Sequence, residues 1–355
     1  MTAGTRDEPP ERTPQRVTIR EVAGKAGVSV STVSLALADS PLIAPDTKRK
    51  VREAAAALRY RPSALGRALQ SRRTNSVAVI VPHSSRHVFG HLYFMDILSG
   101  VNEVLNAADM TLVLSTTKTE VAEGEAYAKV LHSQMVDGVI LASAALNDKN
   151  IASLQLSSFP FVFIGRYPLD PGVRTVSVDD EGGALQAVRH LIWHGHTRIA
   201  HISGPLAHLS AADRLAGYRR ALEEVGITFR PEYCWEGDYT EEAGLTGTQA
   251  LLTLEEPPTA IFAANDETAI GVAEALRAAG HSPGAGFPVV GFDDLMFARL
   301  VEPPLTTVHQ PMRELGSAAA RLLLALLNNR PIDGLQVQLP TRLVIRGSCG
   351  CSSSA

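Results

Sequence analysis

The sequence predicts an all-α helix-turn-helix head followed by an α/β body of two lobes, and three observations carry that expectation. Residues 17–37 contain two short helical patterns on either side of Gly27. Between Glu11 and Arg73 stand 13 Lys or Arg against 5 Asp or Glu, a net of +8 in a 355-residue chain whose total is −4, so the remainder carries −12. From Asn75 onward, short β-rich runs alternate with helical stretches. A basic head on an acidic body is the asymmetry of a protein that meets a phosphate backbone at one end. A helical hairpin that merely packs is the competing reading of residues 17–37, and the charge distribution argues against it.

Within the head, Thr18 can cap a first helix with Glu21 reciprocating three residues later, and Val22, Ala23 and Ala26 supply its apolar stripe. Gly27 allows a sharp turn, Val28 buries there, and Ser29 caps a second helix. That helix keeps Val33 and Leu37 on one side and leaves Val30, Ser31 and Ser34 outside, the presentation a DNA major groove requires. After a loop from Asp39 to Pro45, Val51, Ala54, Ala55 and Leu58 predict a third helix that closes the head. Asp46 serves its first turn, and Lys48, Arg49, Lys50 and Arg52 offer charge to phosphates. The segment opening at Pro62, PSALGRALQSRR, is a marginal helix. It is expected to order when two copies meet on DNA, with Leu69 as an apolar wedge in the minor groove; a plain linker is the alternative.

In the body, candidate strands are 77–81, 111–115, 138–141, 161–164 and 176–178, then 199–203, 233–236, 260–264 and 289–292. Helical patterns at 95–108, 123–133, 182–194, 211–225, 241–254 and 267–279 lie between them. Two such series make two lobes of largely parallel sheet, and the cleft between them is the default small-molecule site. No catalytic constellation emerges, so the chain does not read as an enzyme: no nucleophile elbow, phosphate loop or dinucleotide fingerprint is spelled. Asp293 and Asp294 are adjacent and would face opposite ways on a strand, and His194–Gly195–His196 reads as a helix end rather than a metal site.

Residues 1–16, rich in Pro, Arg, Glu and Thr without periodicity, read as a disordered arm. No apolar run reads as a signal peptide or a membrane span, which points to a cytoplasmic protein with no membrane partner. The 3 cysteines make no disulfide framework. Cys349 and Cys351 sit in a small polar tail where fraying is expected and a metal is not.

From Val17 to Gly347 the chain resembles the LacI/GalR family of transcriptional regulators. The matching pieces are VTIREVA, AGVSxSTVS, RPSALGRAL, RLAGY (Arg214–Tyr218), AIFAAND (Ala260–Asp266), VVGFDD (Val289–Asp294) and PPLTTVHQP (Pro303–Pro311), in order and at compatible spacing. The resemblance implies a helix-turn-helix DNA-binding domain over 17–61, a hinge helix and linker over 62–74, and a type I periplasmic-binding-protein-like core over 75–346 that dimerises and binds an effector. It implies three chain crossings, with the first lobe at about 75–178 and 311–334, the second at about 179–310 and 335–346, and a flexible tail at 347–355. DNA contacts are assigned to Thr18, Val30, Ser31, Thr32, Ser34, Leu35, Lys48, Arg67 and Leu69. Leu35 stands where relatives often carry a polar residue, which shifts base preference toward a thymine methyl. Ser63 and Gly66 replace the commoner Asn and Ala, and Gly66 raises the cost of ordering the hinge by about 0.5–1 kcal/mol. The effector is assigned to Tyr93, Phe94, Arg166, Asp179, His208, Ser210, Arg214, Tyr239 and Asp266.

The implied activity is ligand-controlled repression of carbohydrate-related genes by a homodimer on an approximately palindromic operator of double-stranded DNA, without cofactor or metal. A sugar or sugar derivative is the expected effector and a purine or nucleoside the runner-up. A solute-binding protein would share the body but have no use for the basic head. With no leucine heptad after the last predicted strand, a dimer is favoured over a tetramer.

Overall fold

In a computed structural model, the residues described are 17–60, 73–117, 127, 130–131, 135–142, 149–157, 159–170, 172–331 and 334–351. The arm at 1–16, the hinge with Arg67 and Leu69, and most of the helix expected at 123–133 lie outside them. The chain divides into two units, residues 1–74 and 75–355.

The first unit holds α1 (Ile19–Ala26), α2 (Val30–Leu37) and α3 (Pro45–Ala57). Glu21 accepts hydrogen bonds from the Thr18 backbone N–H at 2.6 Å and its hydroxyl at 3.0 Å. The expected capping partners therefore meet, and those bonds hold the Glu21 carboxyl below its usual range. Ser29 accepts from the Thr32 N–H at 3.1 Å to start α2. Val22, Val33, Ala36 and Val51 are fully buried where the three helices meet, with Leu37 and Leu58 packed beside them.

The second unit begins with β1 (Ser76–Ser84), α4 (Ser85–Gly90), α5 (Leu92–Ala107), β2 (Thr111–Thr117), β3 (Gly138–Ala142), α6 (Lys149–Leu156), β4 (Phe161–Ile164) and β5 (Thr175–Val178). It continues with α7 (Asp180–Trp193), β6 (Ile199–Ser203), α8 (Leu209–Glu223), β7 (Cys234–Glu236), α9 (Glu241–Leu252), β8 (Ala260–Ala263), α10 (Asp266–Ala278) and β9 (Val289–Asp293). It closes with β10 (Thr306–His309), α11 (Met312–Leu327), β11 (Gln336–Leu339) and β12 (Arg342–Val344). One sheet runs β11-β5-β4-β3-β1-β2 and the other β12-β10-β9-β8-β6-β7. All pairings are parallel except β12 on β10.

Each sheet is covered on both faces, which is why its strands read as continuous apolar runs rather than alternating ones. On β1, Val77, Val79 and Val81 pack into one core while Ala78 and Ile80 pack into another. The second sheet divides its residues in the same way, Phe262 to one side and Ile261 and Ala263 to the other.

Two expected boundaries are corrected. The resemblance places residues 336–339 in the second lobe; β11 instead pairs with β5 of the first sheet, Gln336 with Thr175 through Leu339 with Val178. The reason is local: Val337 and Leu339 alternate with Gln and pack on the first lobe's core, as an edge strand does. The last crossing therefore falls after Leu339, and only β12 belongs to the second sheet. The tail expected to be flexible from residue 347 is packed at its start, with Ser348 and Cys349 buried. The Ser348 hydroxyl accepts the Thr306 N–H at 2.8 Å and donates to the Val289 carbonyl at 2.6 Å.

Candidate functional site

On the head, Val30 is 41% exposed at the start of α2 beside exposed Ser31. Ser34 and Leu35 follow one turn later on the same side, half-buried. The Ser29 hydroxyl lies 2.8 Å from the hydroxyls of both Ser31 and Thr32, so these side chains gather at the helix start. Such an end, with its N–H groups and exposed hydroxyls, suits phosphate oxygens. Thr18 is exposed at the start of α1. Lys48 departs from expectation. Its ammonium bonds the Asp39 carboxylate and carbonyl, each at 3.0 Å, with Arg52 reaching the same carboxylate at 2.7 Å. Asp39 has a left-handed φ of 58° directly after α2, which turns its side chain back over α3. Lys48 thus braces the α2–α3 loop instead of facing outward.

In the body, a cleft opens at the carboxyl ends of the strands of both sheets, the place a parallel α/β sheet reserves for ligands. Seven of the nine expected effector residues line it: Tyr93, Phe94, Arg166, His208, Ser210, Arg214 and Tyr239. Arg214, on α8, is at its centre, with a side chain only 6% exposed. It donates to Asp180 at 2.8 Å and to the Ala264 carbonyl at 2.5 Å, and lies 3.8 Å from Asp293. Its guanidinium carbon sits 3.7 Å from the Phe292 ring centroid. Burial opposes the Arg214 charge, but Asp180 and Asp293 outweigh it and push its pKa upward.

Tyr239 occupies a left-handed turn (φ 69°), its carbonyl accepting from the Asn265 amide at 3.0 Å and its hydroxyl 3.1 Å from that of Ser210. A Cβ at position 204 would stand 2.1 Å from the Tyr239 ring, so Gly204 is what admits that ring to the cleft. Tyr93 and Phe94 meet edge to face, centroids 5.2 Å apart. Arg166 faces the cleft but is held by Asp213 across the two lobes, with Nε to Oδ2 at 2.9 Å and a second bond from Nη2. His91 and Glu267 form another interlobe pair.

Two expected ligand residues do other work. Asp179 caps α7, accepting from the Gly182 N–H at 2.9 Å. Asp266 is fully buried; its carboxylate takes the Leu295 N–H at 2.7 Å and the Thr307 hydroxyl. It fastens the chain beyond β9, and burial together with Asp293 raises its pKa well above the usual range. The acidic role falls to Asp180 and Asp293, which the sequence reading does not assign. Burial pushes Asp293 up to about 7, against the pull of Arg214 and of the Gln310 amide 2.5 Å away. The available signal is the doublet itself: Asp293 turns toward the cleft, while Asp294 pairs with Arg346 at 2.5 Å and lies 3.0 Å from His309.

Comparison with known proteins places these features. Residues 18–63 match the model for bacterial regulatory proteins of the lacI family, and residues 188–349 match that for a periplasmic binding protein-like domain. Catabolite control protein A of Priestia megaterium is 34% identical over 333 residues, covering 94% of this chain and 99% of its own. The chain belongs to the LacI/GalR family of transcriptional regulators. Among solved structures, the regulator CelR in complex with cellobiose aligns with a TM-score of 0.74 at 33% identity, covering 94% of this chain and 100% of that one. The lac repressor dimer bound to operator and the anti-inducer ONPF aligns at 0.82 with 30% identity, covering 94% and 99%. As a family member the chain is a ligand-responsive, DNA-binding transcriptional regulator and not an enzyme, with the helix-turn-helix head and two-sheet core expected. Among the described residues, no helix is long and apolar enough to cross a membrane.

Proposed function

We propose that this regulator is a cytoplasmic homodimeric repressor of carbohydrate-related genes whose effector is a sugar or sugar derivative held in the interlobe cleft. The observation that carries the reading is Arg214 fixed between two carboxylates, Asp180 and Asp293, opposite the rings of Tyr93 and Phe94. A guanidinium donates and a carboxylate accepts, so neighbouring hydroxyls of one sugar ring are satisfied in both senses while an aromatic ring covers its apolar face. The likeness to CelR, solved with cellobiose, supports the same class. Val30, Ser31, Thr32, Ser34 and Leu35 meet base edges and phosphates in each half-site, with Thr18 on the backbone.

Sugar binding shifts the relative position of the lobes and with it the spacing of the two heads, by as much as its affinity differs between the DNA-competent and incompetent states. The test uses full-length protein and an operator selected from random duplex DNA. Operator binding is expected to weaken with salt and to vanish when residues 1–73 are removed. Sugar affinity, titrated with a purine series in parallel, is expected to differ with and without operator. Equal sugar affinity in both states excludes the coupling, and saturable binding of a purine alone reassigns the effector.

A further inference from the structure

Three side chains outside the cleft, His190, Cys349 and Cys351, converge where the carboxy-terminal segment meets the end of α7, and a fourth, His194, reaches Cys351 beside them. His190 lies in the last turn of α7 and His194 is the residue that caps its carboxyl end, and their ring centroids are 4.7 Å apart. The Cys-Gly-Cys segment crosses them. Cys351 Sγ lies 3.6 Å from His190 Nε2 and 2.9 Å from His194 Nε2. Donor atoms of His190, Cys349 and Cys351 all fall within 4.8 Å of one another. Both thiols are free.

The segment is held there by bonds that need no ion. Ser348 is tied to β9 and β10, and the Cys349 thiol donates to the Arg346 carbonyl at 3.3 Å. Gly350 then turns the chain with φ 82°, and a Cβ there would stand 3.3 Å from the Ala285 Cα, so the turn suits glycine alone. Two thiols and two imidazoles are the donor set of a closed structural zinc site. With Zn–S near 2.3 Å and Zn–N near 2.0–2.1 Å, tetrahedral geometry separates an N from an S donor by about 3.6 Å. The observed His190–Cys351 separation is 3.6 Å, whereas His194 stands at a hydrogen-bond distance of 2.9 Å from the same sulfur and must draw back by a fraction of an ångström to become the fourth ligand.

We propose that His190, His194, Cys349 and Cys351 bind one Zn²⁺ ion per chain, fastening the carboxy-terminal segment to α7. Sulfur ligands favour Zn²⁺ over Mg²⁺ or Ca²⁺, and binding releases the thiol protons to solvent. The site sits at the opposite end of α7 from Asp180 of the cleft, and its presence is independent of what the cleft binds.

The experiment titrates full-length, reduced, chelator-treated protein with Co²⁺ and then Zn²⁺. Thiolate-to-cobalt charge-transfer and intense four-coordinate d–d bands are expected to saturate at one equivalent and to be bleached by one equivalent of Zn²⁺. Trp193, whose ring lies 4.8 Å from that of His194, should be quenched by Co²⁺ in the same titration. Cys351→Ser and His194→Ala are expected to weaken Zn²⁺ binding by on the order of 100-fold, since even outer partners of a metal cost 10–100-fold. Both variants should keep the wild-type melting temperature in chelator and lose the rise that Zn²⁺ gives the wild type. Absence of saturable bands in reduced wild type, or equal Zn²⁺ affinity in Cys351→Ser, overturns the proposal. So does oxidation of reduced Cys349 and Cys351 to a disulfide in air at the same rate with and without equimolar Zn²⁺ added beforehand.

Discussion

The two walls of the cleft are chemically unlike. The first lobe brings rings and aliphatic surface: Tyr93, Phe94, Phe163 and Val178. The second brings Arg214, Asp180, Asp293 and Asn265, with Tyr239 as the ring among them. Two pairs also cross the cleft in the same sense, with His91 and Arg166 on the first lobe reaching carboxylates Glu267 and Asp213 on the second; the hydrogen bond to Glu267 raises the His91 pKa. The contrast assigns different tasks. The polar wall is preorganised, because Arg214 is tied to Asp180 and to the Ala264 carbonyl, and Asn265 caps α10 by accepting from the Thr268 N–H at 2.9 Å. The ringed wall contributes area and shape. A ligand that closes the lobes must satisfy both at once, and one that meets a single wall has little leverage on their relative position.

Arg214→Ala is the severest test of this division of tasks, because it leaves Asp180 and Asp293 buried without their cation. Truncating one partner of such a group costs about 2–5 kcal/mol, so calorimetry should show effector affinity falling by roughly 30-fold or more. Lysine should not restore it, because one ammonium cannot reproduce the planar fork. Unchanged affinity would remove Arg214 from the ligand's contacts. Tyr93→Ala tests the other wall and should cost less, about 0.5–1.5 kcal/mol or roughly 2- to 12-fold, read in the same titration. An equal or larger loss than at Arg214 would reverse the ranking of the walls.

The smallest effect is the pH dependence that Asp293 imposes. Burial raises its pKa to about 7, so the folded protein holds a proton that the unfolded chain releases near 4. Its contribution to stability therefore declines as pH rises from about 4 through 7. Sugar hydroxyls donating to the carboxylate favour the ionised form, so effector affinity should rise a few-fold between pH 6 and 8, with proton release seen as a buffer-dependent binding enthalpy. Asp293→Asn should flatten that profile, and a persistent slope in the variant would assign the proton elsewhere.

Local chemistry makes much of this molecule legible. The Thr18–Glu21 pair, Ser29 before α2 and the apolar runs of β3, β6 and β8 each stand where short-range rules place them. Arg214 and Tyr239 are identifiable through the family motifs and do line the cleft. What escapes is the choice between adjacent polar residues. Asn265 lines the cleft while Asp266, next to it, is spent on Leu295 and Thr307. Likewise Asp180 reaches Arg214 while Asp179 caps a helix.

The helical head and the doubly covered sheets follow from spacing, capping and periodicity, the basic charge of the head from composition, and the family from the resemblance of its motifs, all of them carried by contiguous residues. Four features instead waited for the folded chain. These are the place of β11 in the first sheet, the inward turn of Lys48 to Asp39, the presence of Asp293 rather than Asp266 at the cleft, and the seat of the Cys349–Cys351 segment against His190 and His194. Each of these is a pairing between separate segments. A carboxylate, an ammonium or a thiol carries no record of its partner until the backbone brings the two together.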